Sequence, residues 1–139
     1  MAAPMDERVR VFSGAKWEPI VGYCRALAVG RQVWVSGTAP VDDDGGVFAP
    51  GDAYAQTRRC LDLGESALRA LGGGLEHVVR TRIFVTDISR WPDVGRAHGE
   101  RFGAHPPATS MVEVRRLIDD AMLVEIEFEA LLDEPARTT

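Results

Sequence analysis

The chain has 139 residues, of which 45% are hydrophobic and 27% are charged, and its formal net charge at pH 7 is −5. This length suits a single domain, residues 1–139, that can bury a core without disulfide bonds or metal ions. The acidic balance argues against a nucleic-acid partner, because binding to phosphates requires clustered cations. The abundance of aliphatic residues argues against disorder.

No targeting or membrane segment is expected. Residues 1–10 lack the apolar stretch of a secretory signal, and no apolar run approaches the roughly 20 residues that a membrane helix needs. Cys24 and Cys60 lack metal-site spacing, which favours two free thiols in the cytoplasm. The histidines have no ligand spacing and no phosphate-binding fingerprint is present, so we expect neither a metal nor a cofactor.

The hydrophobic pattern predicts six strands and two helices. Alternation of polar and apolar residues indicates strands, and apolar residues at intervals of three and four indicate helices. In chain order the elements are a strand at residues 8–12, a loop at 15–23, hairpin strands at 25–29 and 32–36, a loop at 37–51, a helix from Asp52 to Gly72, a strand at 77–85, a helix from Ser89, strands at 108–114 and 123–132, and a tail at 133–139 that is expected to fray. This order favours an α+β fold in which two helices cover one face of a mixed sheet.

Turn and capping residues bound several of these elements. Gly30-Arg31 is a two-residue connection typical of a β-hairpin. Asp52 carries a side-chain oxygen that can cap the first helix, and Ser89 is expected to do the same for the second.

The last predicted strand alternates between apolar and acidic residues. Its apolar set must face the helices and consists of Val124, Ile126, Phe128 and Ala130. The opposite face, with Glu125, Glu127 and Glu129, is then either exposed to water or buried against another subunit.

Seven short motifs follow one another along the chain. They are Gly22-Tyr23, Val33-Trp34-Val35-Ser36-Gly37, Ala55-Gln56-Thr57-Arg58, residues 79–87, His105-Pro106-Pro107-Ala108, Val112-Glu113-Val114 and Val124-Glu125-Ile126-Glu127. In this order they resemble the Rid family, the reactive intermediate deaminases also called YjgF/YER057c/UK114 proteins. The resemblance covers about residues 8–132, nearly the whole chain.

The resemblance implies a chorismate-mutase-like fold, a mixed six-stranded sheet with two helices on one face. It also implies a homotrimer with three small-molecule clefts at the subunit interfaces. Typical members hydrolyse imines and enamines such as 2-aminoacrylate to the keto acid and ammonia, without cofactor or metal. In those proteins an Arg after the Pro-Ala motif binds the substrate carboxylate through two hydrogen bonds.

Position 109 departs from this pattern, because Thr109 stands where typical members carry the Arg. A neutral hydroxyl supplies neither the charge nor the paired hydrogen bonds of a guanidinium. Arg115 cannot take its place, since six residues of strand span roughly 20 Å. Met111 and Gly95 also replace the Cys or Thr and the Asn of typical members, so the usual substrate is not implied.

Glu125 is the predicted catalytic residue. In the family that it resembles, the equivalent Glu positions the water that attacks the imine carbon. From the pattern alone, a carboxylate on this strand face can equally be solvated or form a salt bridge between subunits. Burial by assembly would raise its pKa, as acid–base catalysis requires.

The resemblance also implies the residues that bind the substrate. Tyr23 can pack as a wall of the cleft or offer its hydroxyl to a ligand. Ser36 and Gly37 end a strand, and the glycine permits close approach of the backbone to a ligand. Thr109 and Met111 would shape a pocket that lacks the carboxylate-binding Arg.

His98 and Glu100 are secondary candidates on the second helix. His98 shares a face with three apolar residues at helical spacing, Trp91, Val94 and Phe102. It is therefore either a packed, hydrogen-bonded side chain or a site residue whose charge changes near neutral pH. Glu100 lies two residues further on and points elsewhere, so the two form no dyad.

Trp17 is a further secondary candidate, in the loop at residues 15–23. With Glu18 it can form an aromatic lid that carries a carboxylate. The alternative is a ring that covers the edge of the sheet.

These observations predict a Rid-like hydrolase that adds water to an imine, an enamine or a related electrophilic carbon. The alternative is a trimeric protein of the same fold that binds a metabolite without catalysis, so enzymatic activity stays open. An endoribonuclease is the weakest hypothesis, because no basic stripe interleaved with aromatic residues is present.

Overall fold

The computed structural model describes residues 7–137, which form six strands and two α-helices. The elements are β1 (Arg8–Val11), β2 (Ala26–Val29), β3 (Gln32–Thr38), α1 (Ala53–Arg69), β4 (Val78–Val85), α2 (Trp91–Phe102), β5 (Ala108–Glu113) and β6 (Val124–Leu131). Residues 1–6, part of the segment for which no secretory signal is expected, and residues 138–139 of the tail lie outside this description. Neither helix in the described part of the chain has the length and apolar character needed to cross a membrane.

All six described strands join one sheet in the order β1-β2-β3-β6-β4-β5. β4 and β5 run parallel, and every other neighbouring pair is antiparallel. The sheet is therefore mixed, with β6 in its interior between β3 and β4. This confirms the predicted α+β fold.

The core lies between the helices and one face of the sheet. The alternation predicted for β6 is confirmed: its apolar side chains are no more than 3% exposed, at Val124, Ile126, Phe128 and Ala130. Gly64 of α1 lets the helix approach closely, because a Cβ atom there would lie 2.4 Å from the Phe128 ring. The three glutamates of β6 consequently point away from the helices.

Two predictions of local structure are wrong, one for the loop at residues 15–23 and one for the cap of α2. The segment predicted as a loop contains a π-helical turn, Glu18–Gly22, closed by the Tyr23 amide, which donates to the Glu18 carbonyl at 3.0 Å. Ser89 does not cap α2. Its backbone amide and hydroxyl both donate to the carboxylate of Asp87, which caps a 3₁₀ turn (Ile88–Arg90) that leads into the helix.

The expectation that the chain frays from residue 133 onward is wrong as far as Ala136. This residue is 2% exposed, and its amide donates to the carbonyl of Gly30 at 2.9 Å. The Asp133 carboxylate also lies 3.1 Å from the Nε2 atom of His77. The tail therefore packs over the hairpin turn between β2 and β3, which a polar composition alone does not indicate.

Candidate functional site

The face of the sheet opposite the helices carries three glutamates in unequal surroundings. Glu127 forms an ion pair with Arg82 at 3.3 Å, and Glu129 lies 3.7 Å from Arg80 and 3.6 Å from Arg82. Glu125 forms no hydrogen bond or ion pair with any residue in the range 7–137. One carboxylate of the row is thus left available to a ligand.

The Glu125 side chain is half-buried within one chain. Burial raises the pKa of its carboxyl above the ordinary value, while the charge of Arg25 lowers this pKa and that of Glu127 raises it. A carboxylate with a raised pKa is a better proton acceptor near neutral pH than a solvated one. The single chain therefore already removes part of the Glu125 side chain from water.

Gly37 lies directly against Glu125. The register between β3 and β6 shifts between Val35 and Thr38, and a Cβ atom built on Gly37 would lie 2.6 Å from Oε2 of Glu125. Only glycine leaves room for the carboxylate in this position. Ser36, the preceding residue, donates its hydroxyl to the carbonyl of Cys24 at 2.7 Å and so ties the strand to the segment before β2.

Arg25 lies beside this part of the strand, where its carbonyl accepts from the Ser36 amide at 2.9 Å, and it is 8% exposed. Its guanidinium donates to the Gly37 carbonyl at 2.7 Å, to the Thr38 hydroxyl at 3.1 Å and to the Ser36 carbonyl at 3.5 Å. Its Nε atom lies 3.7 Å from the carboxylate of Glu18. A buried, multiply bonded cation therefore fixes the backbone beside Glu125.

Glu18 is 4% exposed and completes this cluster. Its carboxylate accepts a hydrogen bond from the Ser13 amide at 3.1 Å and another from the Ser13 hydroxyl. Trp17, the preceding residue, has its ring 4.8 Å from the ammonium group of Lys16. The carboxylate next to Trp17 thus holds Arg25 and does not point to a ligand.

Glu125 and Gly37 open onto a groove of about 1070 Å³ that Tyr23, Arg25 and Trp17 also line. A second groove of about 880 Å³ crosses the sheet face and is lined by Tyr23 and Ser36, among others. Tyr23 stands between the two and belongs to both. The sequence-predicted Tyr23, Ser36, Gly37 and Glu125 are thereby brought into one neighbourhood.

Thr109 and Met111 lie elsewhere, on the strand β5 at the edge of the sheet. The Thr109 hydroxyl is 2.8 Å from that of Thr81, which in turn is 2.9 Å from Nε2 of His98. Cross-strand partners share a face, so these residues lie on the helix side and Glu125 on the other. The register puts the Cα atoms of Thr109 and Glu125 about 14 Å apart, two strands across and three residues along.

His98 is packed as well as hydrogen-bonded. Its ring centroid lies 4.5 Å from that of Phe102, and burial lowers the pKa of the imidazole below its ordinary value. The shift favours the neutral form of the imidazole at neutral pH. Trp91, predicted to lie on the same apolar face, is the first residue of α2 and is 59% exposed, so it is not part of the packed face.

A model of the endoribonuclease L-PSP family matches residues 14–132 of this sequence. The chain belongs to the Rid (YjgF/YER057c/UK114) family.

Three relatives illustrate the range of similarity within the Rid family. A crystal structure of Rv2704 from Mycobacterium tuberculosis, described as a member of the YjgF/YER057c/UK114 family, is 48% identical with a TM-score of 0.82, covering 91% of this chain and all of that one. An uncharacterized protein from Streptomyces coelicolor is 38% identical over 121 residues, 87% of this chain and 90% of its own. The 3-aminoacrylate deaminase RutC of Acinetobacter baylyi is 33% identical over 105 residues, 76% of this chain and 83% of its own.

Within this Rid chain, Glu100 lies apart from His98, as the helical spacing predicts. Its carboxylate accepts a hydrogen bond from the Tyr54 hydroxyl on α1, and this bond is the main reason that the pKa of Tyr54 is raised. Among residues 7–137, no group of three or more His, Cys, Asp or Glu side chains is arranged to hold a metal ion.

Sequence reasoning missed the pair Glu18–Arg25. The available signal was an arginine at the start of a hairpin strand whose next residues are apolar, Ala26, Leu27 and Ala28. A charged residue in such a position is buried only with a partner. The carboxylate seven residues earlier is that partner, but the π-helical turn that joins them has no recognised sequence pattern.

Proposed function

We propose that this Rid protein is a hydrolase that adds water to the carbon of an imine, an enamine or a related electrophile, with Glu125 as the catalytic residue. The observation that carries this proposal is the difference within one row of carboxylates: Glu127 and Glu129 are paired with arginines, and Glu125 is not. An unpaired, half-buried carboxylate on a groove is suited to orient and deprotonate a water molecule.

The proposed reaction needs no cofactor. Glu125 accepts a proton from water as the oxygen bonds to the imine carbon, and the electron pair of the C=N double bond moves to the nitrogen, which takes a proton from solvent. Glu125 then gives its proton to the nitrogen of this carbinolamine as the C–N bond breaks, and the hydroxyl loses its proton to solvent as the carbonyl forms. The products are a carbonyl compound and ammonia or an amine, and Glu125 is again ionised. An enamine enters the same sequence after it takes up a proton on carbon to become the imine. Tyr23 and the backbone at Gly37 would hold the ligand, because both line the groove beside the carboxylate.

We further propose a homotrimer in which the cleft lies between two copies of the chain. Support comes from the separation of Thr109 and Met111 from Glu125 on one sheet: the resemblance implies that they line one cleft, and a second copy of the chain would bring them together there. The exposed face also keeps apolar side chains, with Trp34 40% and Val112 48% exposed. Light scattering of the purified protein tests this; a particle of 15.2 kDa would contradict it.

The substrate class follows from position 109. The Thr109 hydroxyl ends a hydrogen-bonded chain through Thr81 to a neutral imidazole, and this chain carries no positive charge. Such a chain suits an uncharged hydrogen-bonding group better than a carboxylate. We therefore propose substrates that are neutral, amine-bearing or bulkier than the imines of amino acids.

The second candidate is a trimer that binds a metabolite without catalysis. The observation that favours it is the same replacement, because Thr109 removes the charge that typical members use to hold their substrate. An endoribonuclease activity, which the family name suggests, is opposed by the net charge of −5. We keep the cytoplasm as the proposed compartment, where the free thiols of Cys24 and Cys60 would stay reduced.

Mass spectrometry of the products from a panel of imines separates these candidates. The panel pairs each carboxylated imine with its neutral counterpart, and uncatalysed hydrolysis is subtracted. We expect turnover of neutral imines. Absence of turnover across the panel, together with a thermal shift on ligand addition, would favour the binding protein instead.

A further inference from the structure

We propose that Arg25, restrained by Glu18, is a positioning residue for Glu125: it fixes the Gly37 backbone against which that carboxylate lies and supplies a positive charge beside it. The proposal rests on the function proposed above, in which Glu125 deprotonates water. It concerns a pair of residues that none of the family motifs described above includes.

The first support is geometric. The three acceptors of the guanidinium are consecutive along the chain, namely the carbonyls of Ser36 and Gly37 and the hydroxyl of Thr38. These residues span the point at which β3 leaves register with β6. Pairing with β6 is irregular there, and Arg25 adds a constraint on this backbone from the other side, where its carbonyl also accepts from the Ser36 amide at 2.9 Å.

The second support is the way in which Arg25 itself is held. The Glu18 carboxylate lies 3.7 Å from its Nε atom, and the Tyr23 ring lies 5.5 Å from its guanidinium carbon. Arg25 and Glu18 are 8% and 4% exposed, so the pair is shielded from solvent. A shielded charge acts on its neighbours more strongly than an exposed one. The guanidinium also lines the groove with Glu125.

The third support is the charge balance around Glu125. Burial and the charge of Glu127 raise the pKa of its carboxyl, and the charge of Arg25 lowers this pKa. On α1, the buried thiol of Cys60 is close enough for the charge of Glu125 to raise its pKa. The residues that face Glu125 from β4 and β3 are Phe84 and Gly37, and neither of them titrates. The remaining titratable or charged residues of the groove form no ion pair with Glu125; they are Tyr23, Lys16, Arg59, Arg116 and the aspartates Asp42, Asp43 and Asp44.

Two substitutions should move the titration of Glu125 in opposite directions. Arg25→Gln removes the positive charge, so the pKa of Glu125 should rise. Glu18→Gln leaves Arg25 without its counter-charge, so the pKa of Glu125 should fall. The measurement is ¹³C NMR of the glutamate side-chain carboxyls in the full-length protein, which needs no substrate. Arg59→Gln is the matched control, because it removes the same charge from another wall of the groove.

Arg25→Gln leaves the buried carboxylate of Glu18 without a counter-charge and can prevent folding. The double variant Glu18→Gln/Arg25→Gln avoids this, and it differs from Glu18→Gln only in the side chain at position 25. Its Glu125 should therefore titrate at higher pH than in Glu18→Gln. An equal pKa of Glu125 in these two variants would overturn the proposal. So would a change in the pKa of Glu125 in Arg59→Gln as large as that in Arg25→Gln.

Arg25→Lys separates position from charge. It keeps the cation, but one ammonium cannot replace three separate nitrogen atoms: Nη1, which donates to residues 36–38; Nη2, which donates to the Tyr23 hydroxyl at 3.4 Å; and Nε, which pairs with Glu18. Glu125 should titrate as in the native protein, while kcat falls by about 10-fold to 100-fold with little change in KM. An unchanged kcat would refute the positioning role. If no substrate is found and the titrations still move as stated, the proposed hydrolase fails and the electrostatic role of Arg25 stands.

Discussion

The surroundings of Glu125 are charged, whereas those of Thr109 are neutral. On one side of the sheet a buried arginine donates to the Gly37 carbonyl and forms an ion pair with a buried carboxylate. On the other side two hydroxyls and an imidazole form a hydrogen-bonded chain without formal charge. We call these regions the charged half and the neutral half of the proposed cleft. Because they lie on different strands and different faces of the sheet, a substitution in one half need not disturb the other.

The largest expected effect is on the charged half. Glu125→Gln should reduce kcat by about 100-fold to 10,000-fold, because an amide of nearly the same shape cannot accept the proton. Turnover of a neutral imine measures it, and light scattering checks that assembly is unchanged. Glu127→Gln is the matched control, as this residue shares the face but pairs with Arg82. Equal losses in the two variants would indicate a general electrostatic effect and remove Glu125 from its proposed role.

The next effect concerns the neutral half. Activity on 2-aminoacrylate should lie roughly 1000-fold or more below that of a family member with the Arg, since a lost bidentate charge pair costs several kcal/mol. Thr109→Arg should recover part of this activity and weaken turnover of neutral imines. Native turnover of 2-aminoacrylate equal to that of the Arg-bearing protein would disprove the assignment of position 109.

Alanine substitutions at two glycines should affect different properties, activity at Gly37 beside Glu125 and stability at Gly64 in the core. Gly37→Ala places a methyl group 2.6 Å from Glu125, whose carboxylate must move, so kcat should fall by about 10-fold or more with little change in Tm. Gly64→Ala instead meets the buried Phe128 ring and should lower the free energy of unfolding by about 1–3 kcal/mol. The reverse pattern, with Gly37→Ala unfolding and Gly64→Ala inactive but stable, would contradict the placement of the site.

The smallest effect is a pH dependence of stability from His98. Burial lowers the pKa of His98 in the folded state, so the unfolded chain binds its proton first as pH falls. The stabilisation from the neutral imidazole is present above the ordinary value of about 6.5 and is lost as pH falls through the window below it. Chemical unfolding between neutral pH and about pH 5.5 should show a shallower slope in His98→Gln. An identical slope would show that His98 does not titrate differently on folding.

Much of the fold was predictable because its signals are local. The alternation of apolar and acidic residues in β6 gives its two faces. Asp52 caps α1 as predicted, because its side chain accepts a hydrogen bond from the amide of Ala55, three residues further on. The cap of α2 was misassigned because Asp87 and Ser89 are both good capping residues two positions apart, and only the geometry shows that Ser89 donates to Asp87. The packing of the tail at Ala136 was missed because the residue that it contacts, Gly30, is far away in the sequence.

The sequence by itself determined the alternation that places Glu125 on the face opposite the helices, the motifs of the family and the absence of an Arg at position 109. Those are properties of residues and their near neighbours. Only the tertiary structure decided that Glu125 is the unpaired member of its row, that Arg25 is buried beside it and that Thr109 lies on the other face. Each of these depends on the register between strands far apart in the chain, and register is set by the packing of the whole sheet.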